Sequence, residues 1–112
     1  MRPRAVRLLV GVFLGCAVMW AIASVVRAQE TGETLFKSKC AMCHGPDASG
    51  KTPMGQTLKV PDLRSDIVQK KNNAELKATI TKGKNKMPAY EAKLSGEQID
   101  QLVAYIREIA KH

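Results

Sequence analysis

Aromatic side chains are scarce in this chain of 112 residues, which holds one Trp, two Tyr and two Phe. A chain of this length makes one domain at most. Beyond residue 28, only Phe36, Tyr90 and Tyr105 supply aromatic bulk. Small domains with so little material for a hydrophobic core usually need a covalent staple or a large bound group. We therefore expect that side-chain packing alone does not stabilise this domain and that a bound group or a covalent link contributes to its core.

Cysteine is also scarce, and its three positions are Cys16, Cys40 and Cys43. No second Cys pair or Cys/His pair is present that would complete a Cys-rich zinc site. The sequence also lacks internal repeats, low-complexity tracts and the apolar–polar alternation of strands. The missing strand alternation, together with the helix signals described below, predicts an all-α domain.

Most of the chain has only a small excess of positive charge. The net charge is +8, but four arginines lie in residues 1–28, so residues 29–112 carry 14 Lys and Arg against 10 Asp and Glu. No basic motif interleaved with aromatic residues occurs, and a nucleic-acid partner is not indicated.

Residues 1–28 are typical of an export signal or an N-terminal membrane anchor. Three arginines precede an apolar run over Leu8–Val26, and Val26-Arg27-Ala28 has small residues at the first and last places of a cleavage site. The run is long for a signal and just sufficient to span a bilayer, so cleavage and retention both stay open. A lipid on Cys16 is a weaker alternative, because the apolar run continues beyond it. We expect residues 29–112 to form an exported domain in the periplasm, either free or held at the inner membrane.

The segment Cys40-Ala41-Met42-Cys43-His44 is the strongest motif in the chain. Two thiols at this spacing, followed at once by a histidine, indicate a c-type haem attachment site. Each thiol can form a thioether with one haem vinyl group, and the adjacent imidazole of His44 can ligate the iron. A thioredoxin-like redox pair is the alternative for Cys40 and Cys43.

Capping residues, glycines and the spacing of apolar residues predict where the helices begin and end. The sequence predicts a first helix over 32–41, an irregular loop over 45–63 that could wrap a haem edge, and a short helical turn from Pro61 to near Lys70. Asn73 is the expected N-cap of a helix over 74–82, with Gly83 as its stop. Ser95 and Gln98 form a capping box for the last helix. The buried stripe of that helix comprises Ile99, Leu102, Val103, Ile106 and Ile109.

A second axial ligand could come from Met42, Met54, Met87 or His112. Met42 lies within the attachment turn, Met54 lies close to His44 in sequence, and His112 is the last residue. Met87 is distant in sequence and is followed by Pro88, which stiffens the backbone. These considerations favour Met87, with a role as a flexible core residue as the alternative.

Three blocks of the sequence together resemble class I c-type cytochromes, in particular the small soluble carriers of photosynthetic and respiratory chains. The blocks are Gly32-xx-Leu35-Phe36-xxx-Cys40-xx-Cys43-His44, then Gly83-Lys84-Asn85-Lys86-Met87-Pro88-Ala89-Tyr90, then Leu94-Ser95-Gly96-Glu97-Gln98-Ile99 with Val103-Ala104-Tyr105-Ile106. The resemblance covers nearly all of residues 30–110. It implies a cytochrome c fold with three to five short helices around one covalent haem.

The same resemblance assigns roles to single residues. It implies that Cys40 and Cys43 carry the thioethers and that His44 and Met87 are the axial ligands. It further implies that Gly32 and Phe36 meet Tyr105 where the first and last helices cross. Pro53 resembles the loop proline whose carbonyl accepts a hydrogen bond from the ligand histidine.

We therefore expect a monomeric mono-haem electron carrier that is not an enzyme, because an iron with two axial protein ligands has no open position for a substrate. The alternatives are a haem subunit fixed in a membrane oxidase or dehydrogenase complex and a five-coordinate haem enzyme or sensor. Lysines could surround the haem edge and attract acidic redox partners, or could simply keep the surface soluble. These lysines are at positions 37, 39, 51, 82, 84, 86 and 93.

Overall fold

The computed structural model describes residues 30–112. The predicted signal or anchor over residues 1–28, including the apolar run 8–26 and the alternative lipid site at Cys16, lies outside these residues. Within residues 30–112 the chain forms six helices and no strand. They are α1 (Gly32–Lys39), α2 (Ala41–His44), α3 (Pro53–Thr57), α4 (Asp66–Gln69), α5 (Asn73–Lys82) and α6 (Gly96–Ile109).

The all-α prediction is confirmed, although the described residues contain more than the expected three to five helices. The difference comes from helices of a single turn: α2 and α4 have four residues each and α3 has five. The predicted first helix ends earlier than residue 41, because the Cys40 N–H closes the last turn of α1 on the Phe36 carbonyl and α2 then begins. No helix among the described residues has the length and apolar character needed to cross a bilayer.

The N-cap of α5 is Asn72, so the prediction of Asn73 was wrong by one residue. The Asn72 side chain accepts from the Glu75 N–H at 2.9 Å, and the Glu75 carboxylate accepts from the Asn72 N–H at 2.7 Å. In a capping box, the side chain three residues after the N-cap accepts a hydrogen bond from the N-cap N–H. With Asn73 as the N-cap this residue would be Leu76, whose apolar side chain cannot accept one. The predicted stop at Gly83 is confirmed.

Side chains also determine the course of the loop over residues 45–63. Thr52 caps α3 by accepting from the Gly55 N–H at 2.9 Å, and Pro53 occupies the first turn. The helical turn predicted to begin at Pro61 is shorter, because residues 62–64 form a separate turn in which Asp62 accepts from the Arg64 N–H at 2.9 Å. Helix α4 therefore begins only at Asp66.

The crossing of α1 and α6 forms the centre of the core. A Cβ atom on Gly32 would lie 2.2 Å from the Gln101 carbonyl oxygen, so only glycine allows this approach. Phe36 is fully buried, and its ring centroid lies 5.3 Å from that of Tyr105. A Cβ on Gly32 would also lie 3.0 Å from the Tyr105 Cβ, so the predicted contact of Gly32 and Phe36 with Tyr105 is confirmed.

Helix α6 is also tied to the segment that precedes α5. The Arg107 guanidinium donates to the Gln69 backbone carbonyl and to the Gln69 side chain, both at 3.0 Å, and to the Asn73 side chain at 3.0 Å. It also donates to the Lys71 carbonyl. The predicted capping box of α6 is present, with Gln98 N–H donating to Ser95 Oγ at 3.1 Å. The contacts of Arg107 link α4 and α5 to α6, and all three helices contribute residues to one cavity.

Candidate functional site

The predicted attachment motif forms a compact helical turn. Cys40 is the N-cap of α2, and the N–H groups of Cys43 and His44 donate to its carbonyl at 3.2 and 2.9 Å. In a helical turn, positions three and four residues apart lie on the same face. Cys40, Cys43 and His44 accordingly line one cavity of about 340 Å³.

Met87 reaches the same cavity from a distant segment of the chain. The Met87 N–H donates to the Lys84 carbonyl at 2.9 Å, and the Lys84 N–H donates to the Met87 carbonyl at 3.1 Å. This tight turn follows Gly83, whose φ is +72°, and contains Asn85 with φ of +54°. Since a Cβ on Gly83 would lie 2.5 Å from the Met87 carbonyl oxygen, the glycine permits the turn that presents Met87.

The other candidates for a second ligand lie elsewhere. Met42 is 76% exposed, Met54 is 45% exposed, and neither lines the cavity. The His112 side chain is 78% exposed and lies 3.5 Å from the Glu108 carboxylate. Among these four candidates, Met87 is therefore the one residue that lines the same cavity as His44.

The His44 imidazole is suited to bind a metal. Burial lowers the pKa of His44, so the neutral ring with a free lone pair is favoured. Its Nδ1 atom is buried and has no hydrogen-bond partner. The predicted hydrogen bond to the Pro53 carbonyl does not form. Pro53 begins α3, and its carbonyl accepts from the Thr57 hydroxyl one helical turn later, at 3.0 Å.

Cys40 lacks the activated thiol of a thioredoxin-like pair. Burial, and secondarily the neighbouring Cys43, raises the pKa of Cys40 to about 11. A raised pKa disfavours disulfide exchange at neutral pH, because the thiolate is the nucleophile.

The donor set fits a haem better than a bare metal ion. The residues described contain no group of three or more His, Cys, Asp or Glu side chains that could hold a metal ion. An apolar cavity that offers two thiols, one imidazole and one thioether instead matches a porphyrin iron with two axial ligands. The apolar wall is formed mainly by residues of α1, α4, α5 and α6, namely Phe36, Val68, Leu76, Ile80, Leu102 and Ile106.

Comparison with known proteins agrees with this geometry. Residues 27–106 match the family model described as cytochrome c oxidase, cbb3-type, subunit III. The chain is 37% identical to a cytochrome c6 of Nostoc sp., over 85% of this chain and 86% of the relative. It is 33% identical to a cytochrome c6 of Rippkaea orientalis, over 92% of this chain and 90% of the relative.

The chain belongs to the class I mono-haem c-type cytochromes. A cbb3-type cytochrome c oxidase subunit CcoP of Azospirillum brasilense is 32% identical over 73% of this chain, which spans only 28% of that longer protein. The solved structure of the c-type cytochrome KustC0563 superposes with a TM-score of 0.66 at 26% identity, over 70% of this chain and 96% of that chain. This cytochrome therefore carries one covalently attached haem c and acts as an electron carrier with redox proteins as partners.

Sequence reasoning missed two lysines of the cavity lining. Lys39, Lys84 and Lys86 line it, as expected for some of the lysines, but Lys59 and Lys71 line it as well. No local signal marks the last two as neighbours of the motif, since they lie in separate loops. Lys93 instead lies 5.5 Å from the Tyr90 ring centroid. Among the described residues that line the cavity there is no Asp or Glu.

Proposed function

We propose that Cys40 and Cys43 hold the haem of this cytochrome through thioethers and that His44 and Met87 are the two axial ligands of its iron. The observation that carries the proposal is the presence of Met87 in the cavity lined by Cys40, Cys43 and His44. The buried, neutral imidazole supports it, because the lone pair is available for the iron.

This ligand set supports electron transfer and not an enzyme activity. A haem iron with both axial positions filled exchanges single electrons, and a thioether ligand raises its reduction potential. The residues of the chain provide ligation, an apolar environment and a docking surface, and no open position at the iron is left for a substrate. A five-coordinate enzyme or sensor would need Met87 away from the iron.

The charge around the cavity suggests acidic redox partners. The lysines that line it are Lys39, Lys59, Lys71, Lys84 and Lys86, with no carboxylate of the described lining to neutralise them. A patch of one sign accelerates encounter with partners of opposite charge, most strongly at low salt. We propose that a monomer docks by this face.

The proposal includes an exported domain over residues 29–112, preceded by a signal peptide or anchor over residues 1–28. The apolar run after three arginines supports export, and attached haem explains how two free thiols are consumed in an oxidising compartment. The periplasm is the proposed compartment, with or without attachment to the inner membrane through residues 8–26.

A role as a fixed haem subunit of an oxidase complex is the second candidate. It is favoured by the match to the cbb3-type subunit III family and by the similarity to CcoP. Affinity purification of the tagged protein from membranes distinguishes the two candidates. Stable recovery of oxidase subunits with the haem protein would support the fixed subunit, and its release alone into the periplasmic fraction would support the free carrier.

Intact mass measurement of the purified protein tests attachment and export together. We expect the mass of residues 29–112, or of the full chain, increased by that of one haem. The Cys40→Ala/Cys43→Ala variant should show no such increase. An apoprotein mass for the wild-type chain, made in a host with a functional haem-attachment system, would contradict the proposal.

Replacement of the sulfur ligand tests the assignment of Met87. Met87→Ala should retain covalent haem, lose the near-infrared band of sulfur bound to ferric iron, and lower the reduction potential by on the order of 0.1 V. Met54→Ala is the matched control, because Met54 lies outside the cavity, and it should retain the band. An unchanged spectrum in Met87→Ala would exclude Met87 as the ligand.

A further inference from the structure

One side-chain hydrogen bond joins the two chain segments that carry the proposed axial ligands. The Tyr90 hydroxyl donates to the Lys39 carbonyl oxygen at 3.1 Å, across 51 positions of sequence. Lys39 directly precedes Cys40, and Tyr90 lies three residues after Met87. The Tyr90 side chain also lines the cavity.

The backbone of Tyr90 is fixed without the help of its hydroxyl. Its N–H donates to the Ile80 carbonyl at 3.1 Å, at the end of α5, and its own carbonyl accepts from the N–H groups of Lys93 and Leu94, both at 2.9 Å. The hydroxyl bond is therefore an additional link, made specifically to the attachment segment.

The acceptor is a carbonyl that has no hydrogen-bond donor within its own helix. Lys39 is the last residue of α1, and the last four carbonyls of a helix have no partner within that helix. Tyr90 satisfies this carbonyl at the point where the chain turns into Cys40 and α2. Pro88 and Ala89, between Met87 and Tyr90, are exposed. The Met87 and Tyr90 side chains are only partly buried against the core, so the hydroxyl bond adds a polar link to this apolar packing.

We propose that Tyr90 is a positioning residue that holds the Met87 loop against the attachment turn and so limits how often Met87 leaves the iron. The inference rests on the proposed ligation by Met87. An external ligand can bind only to the fraction of molecules in which that axial position is open, so its apparent affinity reports this fraction.

The test is a titration of the ferric holoprotein with imidazole, followed by the visible spectrum and the near-infrared sulfur-to-iron band. Tyr90→Phe removes only the hydroxyl group. Loss of one neutral hydrogen bond corresponds to a factor of about five in the equilibrium, so the variant should bind imidazole about fivefold more tightly than the wild-type protein. The band without imidazole should persist, because Met87 still binds in most molecules.

Tyr105→Phe provides the matched control, since it removes a hydroxyl group from the tyrosine that packs on Phe36 in the core and does not line the cavity. Its imidazole affinity should equal that of the wild-type protein. Equal affinity of Tyr90→Phe and the wild-type protein, or an equal rise in both variants, would overturn the inference while leaving the ligation proposal intact. A wild-type ferric protein without the near-infrared band would overturn both.

Discussion

Asp62 and Arg64 hold the turn that brings the neighbouring Leu63 to the cavity. Asp62 accepts from the Arg64 side chain at 3.0 and 2.9 Å, and the Leu63 N–H donates to the Ala48 carbonyl at 2.9 Å. The hydrogen bonds from Arg64 lower the pKa of Asp62 to about 2. Because the pKa is lowered in the folded state, ionised Asp62 stabilises the fold at neutral pH and this contribution disappears in acid.

The Asp62–Arg64 pair thus predicts a pH-dependent effect of Asp62→Asn. At pH 7 the substitution should lower the free energy of unfolding by no more than about 1 kcal/mol, because the pair is partly exposed. The difference from the wild-type protein should shrink as the pH falls from about 4 to about 2, where wild-type Asp62 is also neutral. Urea unfolding at several pH values measures it. In an Arg64→Gln background the pH dependence should weaken, and a difference that stays constant down to pH 2 would contradict the assignment.

At the scale of elements, the crossing of α1 and α6 positions the attachment turn. The fully buried Phe36 lies on α1, one turn before Cys40, and its ring centroid is 6.5 Å from that of His44. The close contact at Gly32 lets α1 lie directly on the backbone of α6. Displacement of α1 would therefore move the segment that holds the proposed ligands.

Gly32→Ala should destabilise the protein through this crossing. The added Cβ would meet backbone atoms of Gln101 at 2.2 and 2.9 Å, which cannot rotate away as a side chain can. We expect a loss of about 1–3 kcal/mol in the free energy of unfolding, the usual cost of overpacking. Thermal or chemical unfolding of the holoprotein measures it.

Gly96→Ala is the matched control for the crossing, because Gly96 also begins a helix but has no atom within 4 Å of the added Cβ. This variant should change the stability by less than about 0.5 kcal/mol, as exposed substitutions usually do. Equal effects of the two alanines would show that the α1–α6 contact is not the cause.

For the whole molecule, the arrangement of charge matters more than its total. The net charge of residues 29–112 is small, yet the cavity lining gathers five lysines and no carboxylate among the described residues. Other lysines are neutralised by ion pairs, such as Lys37 with Glu33 and Lys111 with Glu108. Binding of anionic partners should therefore depend on position as well as on net charge.

The salt dependence of electron transfer tests this arrangement. Oxidation of the ferrous protein by ferricyanide should slow with rising ionic strength, and Lys84→Gln/Lys86→Gln should be slower than wild type by a few-fold at low salt and less salt-dependent. Lys37→Gln/Lys111→Gln changes the net charge equally but away from the cavity lining, so its effect should be smaller. Stopped-flow rates that fall equally in both double variants would indicate a net-charge effect alone.

What the sequence determined by itself was encoded over short distances. The spacing of Cys40, Cys43 and His44 places three groups on one helical turn, and Ser95 with Gln98 starts α6, because such patterns need only one turn of backbone to act. The resemblance of three sequence blocks to class I c-type cytochromes then implied the all-α fold and the covalent haem. The shift of the α5 cap to Asn72 is a local feature that the reciprocal Glu75 could have revealed.

Only the tertiary structure decided which distant groups meet. Met54 is nearer to His44 in sequence than Met87 is, yet Met87 lines the cavity because Gly83 and the end of α5 direct its loop there. The bond from Tyr90 to Lys39 likewise depends on how α1 and α5 each pack against α6. Periodicity and capping signals describe neighbours along the chain, whereas these contacts depend on the packing of all the helices at once.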